Sequence, residues 1–289
     1  MKKKISFIIN PISGSGKQKL VEKAVSKYLD DDFEIEILYT KAAKHAIELS
    51  QKASKYADIV VAVGGDGSIN EVAQGLIGTD IPMGIIPRGS GNGLARFLKI
   101  PLDIAKAIEL IKKGKSKKID SLNIDKELSV NVSGIGFDAH IAHLFSQSKK
   151  RGLSSYIRII RQEFLKYKAE TYELEIENKT FKTKAFLISF ANSSQFGNNA
   201  HIAPKAIIDD GFFEVCILKP FPKFKTLGII TRLFFKNIHQ SKYLETIKTK
   251  SLVLKSDKEI IAHIDGEAAT LKKEINISIN PLSLNIIIP

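Results

Sequence analysis

The run Asp58-Ile59-Val60-Val61-Ala62-Val63, followed at once by Gly64-Gly65-Asp66-Gly67-Ser68-Ile69-Asn70-Glu71-Val72, sets the strongest constraint on the fold of this chain. A short β-branched run without polar alternation is a strand buried on both faces, and that requires a parallel sheet covered by helices. The residues after the glycines read as such a helix. Ser68 is placed to cap its first turn, Glu71 follows in capping-box spacing, and Val72, Leu76 and Ile77 recur at helical spacing. Strand, glycine turn and helix start gather unpaired backbone N–H groups and the positive end of the helix dipole at one point, which suits an anion. The glycines permit positive φ and close backbone approach. Asp66 is out of place beside a phosphate unless a divalent cation or a substrate hydroxyl accompanies it, so it points to phosphoryl transfer. The plainer alternative is a tight turn in which Asp66 only caps the helix.

Two more loops repeat the arrangement. Residues 81–87 read as the next strand, followed by Arg88-Gly89-Ser90-Gly91-Asn92-Gly93 and an apolar helix start at Leu94. Residues 5–9 read as the first strand, followed by Asn10-Pro11-Ile12-Ser13-Gly14-Ser15-Gly16-Lys17 and a helix to about Leu29. The N-terminal loop is not a Walker loop, because Pro11 stands at the first glycine and Gln18 replaces the magnesium-binding Ser or Thr. Nor is it a dinucleotide fingerprint, because Lys19 occupies the third glycine position.

Taken in order, Asn10-Pro11, the 64–72 segment and Pro87-Arg88-Gly89-Ser90-Gly91-Asn92 resemble the diacylglycerol kinase catalytic family. That family contains bacterial diacylglycerol and related lipid kinases, sphingosine kinases and ceramide kinases. The resemblance continues through Gly134-Ile135-Gly136-Phe137-Asp138-Ala139, Asp209-Asp210-Gly211-Phe212-Phe213-Glu214 and Asp265-Gly266-Glu267, so it spans almost the whole chain. It implies a doubly wound α/β nucleotide domain of the NAD-kinase and phosphofructokinase kind over residues 1–121, to which 281–289 return. A mostly antiparallel β-sandwich lipid domain over 122–280 would follow, with lipid and nucleotide meeting in a cleft. The texture after Asp120 agrees. Residues 128–132, 172–176, 184–190, 212–218, 252–254 and 274–279 read as strands, and 154–168 and 225–238 as helices.

Roles follow residue by residue. The backbone of Gly64, Gly65 and Gly67, with the side chains of Ser68, Asn70 and Ser90, is expected to hold the phosphates of ATP. The resemblance adds Asn10 and Thr40 as nucleotide contacts, a Thr at a strand end with no ligand being the alternative for the latter. It makes Asp66 and Glu267 the carboxylates that serve as base and hold Mg2+ against the triphosphate. Arg96 and Asp120 match an arginine and an aspartate of the same network. The chain departs from the bacterial pattern at Gly93, where diacylglycerol kinases commonly have aspartate, and Gly-Ser-Gly-Asn before a small residue looks more like the sphingosine and ceramide kinases. Asp138 matches the aspartate that holds a sphingosine amine. Asp210, with the carbonyls of Ile207 and Phe212, matches a structural magnesium loop, although the same residues would also make an Asp-Gly hairpin turn.

The expected function is ATP-dependent phosphorylation of the hydroxyl of a diacylglycerol-like lipid at a membrane surface. A long-chain base or ceramide is the alternative substrate. Rivals of other classes are a soluble NAD-kinase-like enzyme, which lacks the later motifs, and a non-enzymatic lipid binder, which has no use for Asp66 together with Glu267. The chain has 289 residues, with 44 Lys and Arg against 31 Asp and Glu. Its net +13 suits an anionic membrane surface, and no nucleic-acid partner is expected. Lysine clusters lie at 112–118, 149–151 and 219–225, and the last, which mixes phenylalanines with its lysines, reads either as an interfacial loop or as a solvated one. Met1-Lys2-Lys3-Lys4 precedes a first strand rather than a signal core, and no apolar run approaches the ~18 residues of a membrane span. The lone Cys216 excludes a disulfide framework. A cytoplasmic enzyme, peripheral at the inner membrane surface, fits these features, and homodimerisation is left open.

Overall fold

The computed structural model describes residues 2–12, 18–29, 32–148 and 152–289, so most of the N-terminal loop and the basic cluster at 149–151 lie outside the described residues. The chain divides into two compact units, Met1–Asp120 with Leu282–Pro289, and Ser121–Pro281.

In the first unit, strands β1 (Lys3–Ile9), β2 (Phe33–Tyr39), β3 (Ile59–Gly64) and β4 (Met83–Pro87) form a parallel sheet in the order β2-β1-β3-β4. The helices are α1 (Gln18–Tyr28), α2 (His45–Ala53), α3 (Asp66–Leu76), α4 (Gly93–Phe97) and α5 (Ile104–Lys113). Ile5, Phe7, Ile9, Val61 and Val63 pack in one cluster with residues of α1 and α5. Val60 and Ala62 point the other way along the pleat and are buried too, which is why β3 shows no polar alternation.

Helices α2 and α3 approach closely at Gly75, where a Cβ would lie 1.9 Å from Ser50 Oγ and 2.7 Å from the Ile47 carbonyl. The capping expected of Ser68 and Glu71 is corrected here. Helix α3 begins earlier, at Asp66, because the Ile69 N–H already bonds the Gly65 carbonyl at 3.0 Å. Ser68 therefore lies within the first turn. Glu71 caps the neighbouring helix instead, its carboxylate accepting from the N–H groups of Lys44 (2.9 Å) and Ala46 (3.3 Å) at the start of α2.

Strand β5 (Lys115–Ile124) carries the chain into the second unit. There follow β6 (Glu127–Ser129), β7 (Val132–Gly136), α6 (Phe137–Ser146), α7 (Leu153–Glu163), β8 (Glu170–Ile176), β9 (Lys179–Ala185), β10 (Leu187–Ala191), β11 (Gln195–Gly197) and β12 (Ala200–His201). The remainder are β13 (Phe213–Leu218), α8 (Thr226–Phe234), β14 (Leu244–Thr249), β15 (Ser251–Lys255), β16 (Ile260–Ile264), β17 (Glu267–Leu271) and β18 (Glu274–Ile288). One antiparallel sheet runs β14-β13-β10-β7-β16-β17. The other pairs the first part of β18 with β15, β15 with β8, and β8 with β9. Leu174, Leu252, Leu254 and Ile275 from the second sheet meet Ile135, Ile188, Phe190 and Val215 from the first in a shared apolar core.

Two runs expected to be single strands are each two. Residues 184–190 break at Phe186, where the chain leaves one sheet for the other and the Phe186 N–H bonds the Leu218 carbonyl at 2.7 Å. Residues 128–132 break at Val130 and Asn131, whose N–H groups turn away from a ladder to the carboxylate of Asp265 at 2.8 and 3.0 Å. The end of β18 belongs to the first unit, where Ile286 pairs in parallel with Met83 and Leu284, Ile286 and Ile287 are buried.

Candidate active site

The four parallel strands of the first unit end at one edge. Ile9 is in register with Tyr39 and with Val63, and Gly64 with Pro87, so Asn10, Thr40, Gly65 and Arg88 are the residues that follow the strand ends. The carboxyl edge of such a sheet is where open α/β folds bind ligands. The two glycine loops touch there through bare backbone. A Cβ on Gly89 would lie 2.6 Å from Gly65 Cα, and one on Gly65 3.1 Å from Gly89 Cα. The Arg88 N–H bonds the Gly64 carbonyl at 2.6 Å.

Asp66 fastens the same loops, since its Oδ1 accepts from the Gly93 N–H at 2.8 Å. Residue 93 thus meets Asp66 through its backbone, which glycine provides as well as any residue. Within the second loop Asn92 adopts φ 51 and exchanges two bonds with Gly89, at 2.8 and 2.9 Å. Arg96 Nε donates to the Gly91 carbonyl at 3.0 Å, which directs the arginine back onto this loop. Asn10 Nδ2 donates to Ser68 Oγ at 3.1 Å, joining the first loop to α3. Asn70 is buried and accepts from Gln74 Nε2 at 2.7 Å, Thr40 is buried at its strand end, and Ser90 is exposed. Asp120 is fully buried and accepts from the Leu282 N–H at 2.8 Å, which anchors the returning strand.

In the second unit, Asp265 and Gly266 take φ 48 and 92 between the paired residues Ile264 and Glu267. This is a two-residue hairpin turn that needs positive φ at both central positions, so Asp-Gly suits it. The Asp265 carboxylate is buried and accepts from Ser129 Oγ at 2.6 Å as well as from the two N–H groups named above. Glu267, just past the turn, is exposed.

A contact not foreseen in the sequence joins this hairpin to Asp138. His263 accepts from the Gly266 N–H at Nδ1 (3.2 Å), which leaves Nε2 as the protonated nitrogen, and Nε2 donates to Asp138 Oδ2 at 3.2 Å. The other Asp138 oxygen accepts from the Ala139 N–H at 2.9 Å. His263 is in register with Gly134, where a Cβ would lie 3.0 Å from Asp138 Oδ2 and 3.3 Å from His263 Nε2. The missed signal was this glycine, which keeps room for the pair.

At the expected magnesium loop, Asp210 accepts from the Phe212 N–H at 3.1 Å and from Lys248 Nζ at 2.5 Å. Gly211 takes φ 72, and Glu214 is buried close by. Burial pushes the Glu214 carboxyl above its usual range, against the pull of Lys248. The oxygen donors match magnesium in kind, and Lys248 supplies positive charge at the same carboxylate. Among the described residues no group of three or more His, Cys, Asp and Glu side chains is placed to hold a metal ion, and no helix is long and apolar enough to cross a membrane.

Comparison with known proteins agrees with this architecture. A diacylglycerol kinase of Staphylococcus carnosus is 26% identical over 277 residues, covering 92% of this chain and 89% of the relative. An uncharacterized protein of Synechocystis sp. is 25% identical over 277 residues, covering 91% of this chain and 61% of its own length. The crystal structure of a diacylglycerol kinase from Bacillus anthracis superposes with a TM-score of 0.77 at 21% identity, covering 99% of this chain and 97% of that one. The diacylglycerol kinase catalytic domain matches residues 4–124, and the YegS C-terminal NAD kinase beta sandwich-like domain matches residues 131–288. Glycine loops on a doubly wound sheet, a β-sandwich after them, and matches running from residue 4 to residue 288 lead to one assignment: the chain belongs to the diacylglycerol kinase catalytic domain family of lipid kinases.

Proposed function

We propose that the protein transfers the γ-phosphoryl group of ATP to the hydroxyl of a diacylglycerol-like lipid, as a cytoplasmic enzyme working at the inner membrane surface. The observation that carries the proposal is the backbone contact of Gly65 with Gly89 at the carboxyl edge of the sheet, tied by Asp66. Close-packed glycines leave backbone N–H groups accessible to phosphate oxygens without a side chain in the way. Helix α3 contributes the positive end of its dipole, and Ser68, Asn70 and Ser90 add polar donors. Asn10 and Thr40 stand at neighbouring strand ends for the rest of the nucleotide. Removal of the hydroxyl proton falls to Asp66 or to Glu267, and Arg96 adds positive charge near the loops. Magnesium, with Asp66 as the carboxylate at this edge, would offset the charge of the triphosphate.

The state of Asp138 favours a neutral lipid over a long-chain base. Both of its oxygens are already engaged, by His263 and by Ala139, so an ammonium group would have to share them. Transfer of labelled γ-phosphate from ATP to diacylglycerol, monoacylglycerol, ceramide, a long-chain base and NAD tests the proposal. Label in diacylglycerol is the expected result, and label in NAD alone would refute it. Asp66→Asn and Glu267→Gln are each expected to lower kcat by about 10²–10⁴-fold, the range for loss of a general base. Adding Asp138→Asn to the panel separates the substrates: a selective loss on the long-chain base would restore the amine contact.

A further inference from the structure

Helix α8 is apolar on two sides, and only one of them is used. Ile229 and Leu233, one turn apart, pack into a core cluster with Leu218, Ile238 and Leu244. A second stripe at i, i+3, i+7 consists of Leu227, Ile230 and Phe234, which are 72%, 42% and 51% exposed. Phe224 before the helix and Phe235 after it are 80% and 77% exposed. An amphipathic helix of a globular protein normally sets polar residues on that side.

The projecting rings are held out by packing beneath them. Phe221 packs against Phe164, Phe186 and Tyr243 in tilted and edge-to-face arrangements at centroid distances of 6.2, 5.4 and 6.0 Å, which anchors the loop that carries Phe224. Lys223 Nζ donates to the Leu165 carbonyl at 3.3 Å, and Leu165, 62% exposed, extends the apolar patch at its edge. Contiguous exposed apolar groups of this kind mark a docking surface.

Charge identifies the partner. Between Glu214 and Glu245 the sequence has no acidic residue, while it carries Lys219, Lys223, Lys225, Arg232, Lys236 and Lys242. Lys225 lies over the Phe224 ring, 5.4 Å from its centroid, with its charge alongside the apolar tip. A second copy of the chain would bring the same basic rim against its own, on a protein of net charge +13. Aromatic and aliphatic tips surrounded by lysines fit an anionic bilayer, with the tips in the acyl boundary and the ammonium groups among headgroups.

We propose that the face formed by Phe224, Leu227, Ile230, Phe234 and Phe235 is the surface by which this protein docks on an anionic bilayer. The proposal rests on the lipid-kinase assignment only in taking a bilayer as the place where substrate is met. Sedimentation with vesicles of phosphatidylcholine, with and without phosphatidylglycerol, tests it. The wild-type chain should pellet with the anionic vesicles and be released by high salt, and the triple variant Phe224→Ser/Leu227→Ser/Phe235→Ser should bind about tenfold or more weaker. The three residues are exposed, so thermal unfolding should be unchanged. Activity on a short-chain diacylglycerol dispersed as monomers should be retained, which keeps a docking defect apart from a failure of the kinase assignment. Equal vesicle binding by the variant, or no binding by the wild type, would overturn the proposal. So would a wild-type dimer in gel filtration that the variant dissolves, since the face would then be a contact between copies.

Discussion

Asp265 and Glu267 lie two residues apart in one hairpin and have opposite surroundings. Asp265 is buried with its carboxylate bonded to Ser129, Val130 and Asn131, whereas Glu267 faces solvent just beyond the turn. Asp265→Ala should cost about 2–5 kcal/mol, because three buried donors lose a charged acceptor, and denaturant unfolding measures this. Glu267→Gln should leave that midpoint unchanged while lowering turnover. His263→Phe removes the imidazole partner of one oxygen of the Asp138 carboxylate, which is largely buried, and leaves it only the Ala139 N–H on the other, so a loss of about 1–3 kcal/mol is expected in the same measurement. Glu214 makes a prediction about pH. Its folded pKa is raised above the ordinary 4.5 by burial, so the stability linked to its proton is fully present below the unfolded value and lost as pH rises through the folded one. Glu214→Gln should therefore raise Tm relative to wild type near pH 7, and the gain should vanish near pH 4.

Within the elements, the contact of the two glycine loops leaves little tolerance. Gly89→Ala places a Cβ 2.6 Å from Gly65 Cα, backbone against backbone, and about 1–3 kcal/mol of destabilisation is expected. The rise in Tm on adding ATP should shrink with it. At the 207–212 turn, a bound magnesium would raise Tm on titration with Mg2+, and Asp210→Asn would abolish that rise; a flat titration would leave only a hairpin turn tied to Lys248. Several elements were legible in the sequence because local chemistry dictates them. Strand β3 has an unbroken apolar pattern, and its parallel neighbours β1 and β4 end in loops whose Asn-Pro and glycines announce them. What the sequence hid depends on partners far along the chain. Ser68 lost its capping role to an earlier helix start, Glu71 capped a helix that precedes its own, and Phe186 broke an apparent strand by changing sheets. His263 was one histidine among six until the fold brought it to Asp138 across 125 positions of sequence.

At the scale of the whole molecule, the first unit is discontinuous in sequence. Its sheet takes a final parallel strand from residues that follow the entire second unit, with Leu284, Ile286 and Ile287 buried and Asp120 bonded to the Leu282 N–H. Burial of side chains of this size is worth about 1.5–3 kcal/mol each, so deleting 282–289 should leave the first unit sensitive to limited proteolysis. The second unit, whose apolar core lies between its own two sheets, should resist longer. The returning strand also orders events during synthesis. Because the strand beside Met83 leaves the ribosome after Ser121–Pro281, a growing chain has every residue of its sandwich available before the sheet that carries the glycine loops can close. A partly made copy would thus lack a finished sheet edge beneath its glycine loops until residues 282–288 have been released.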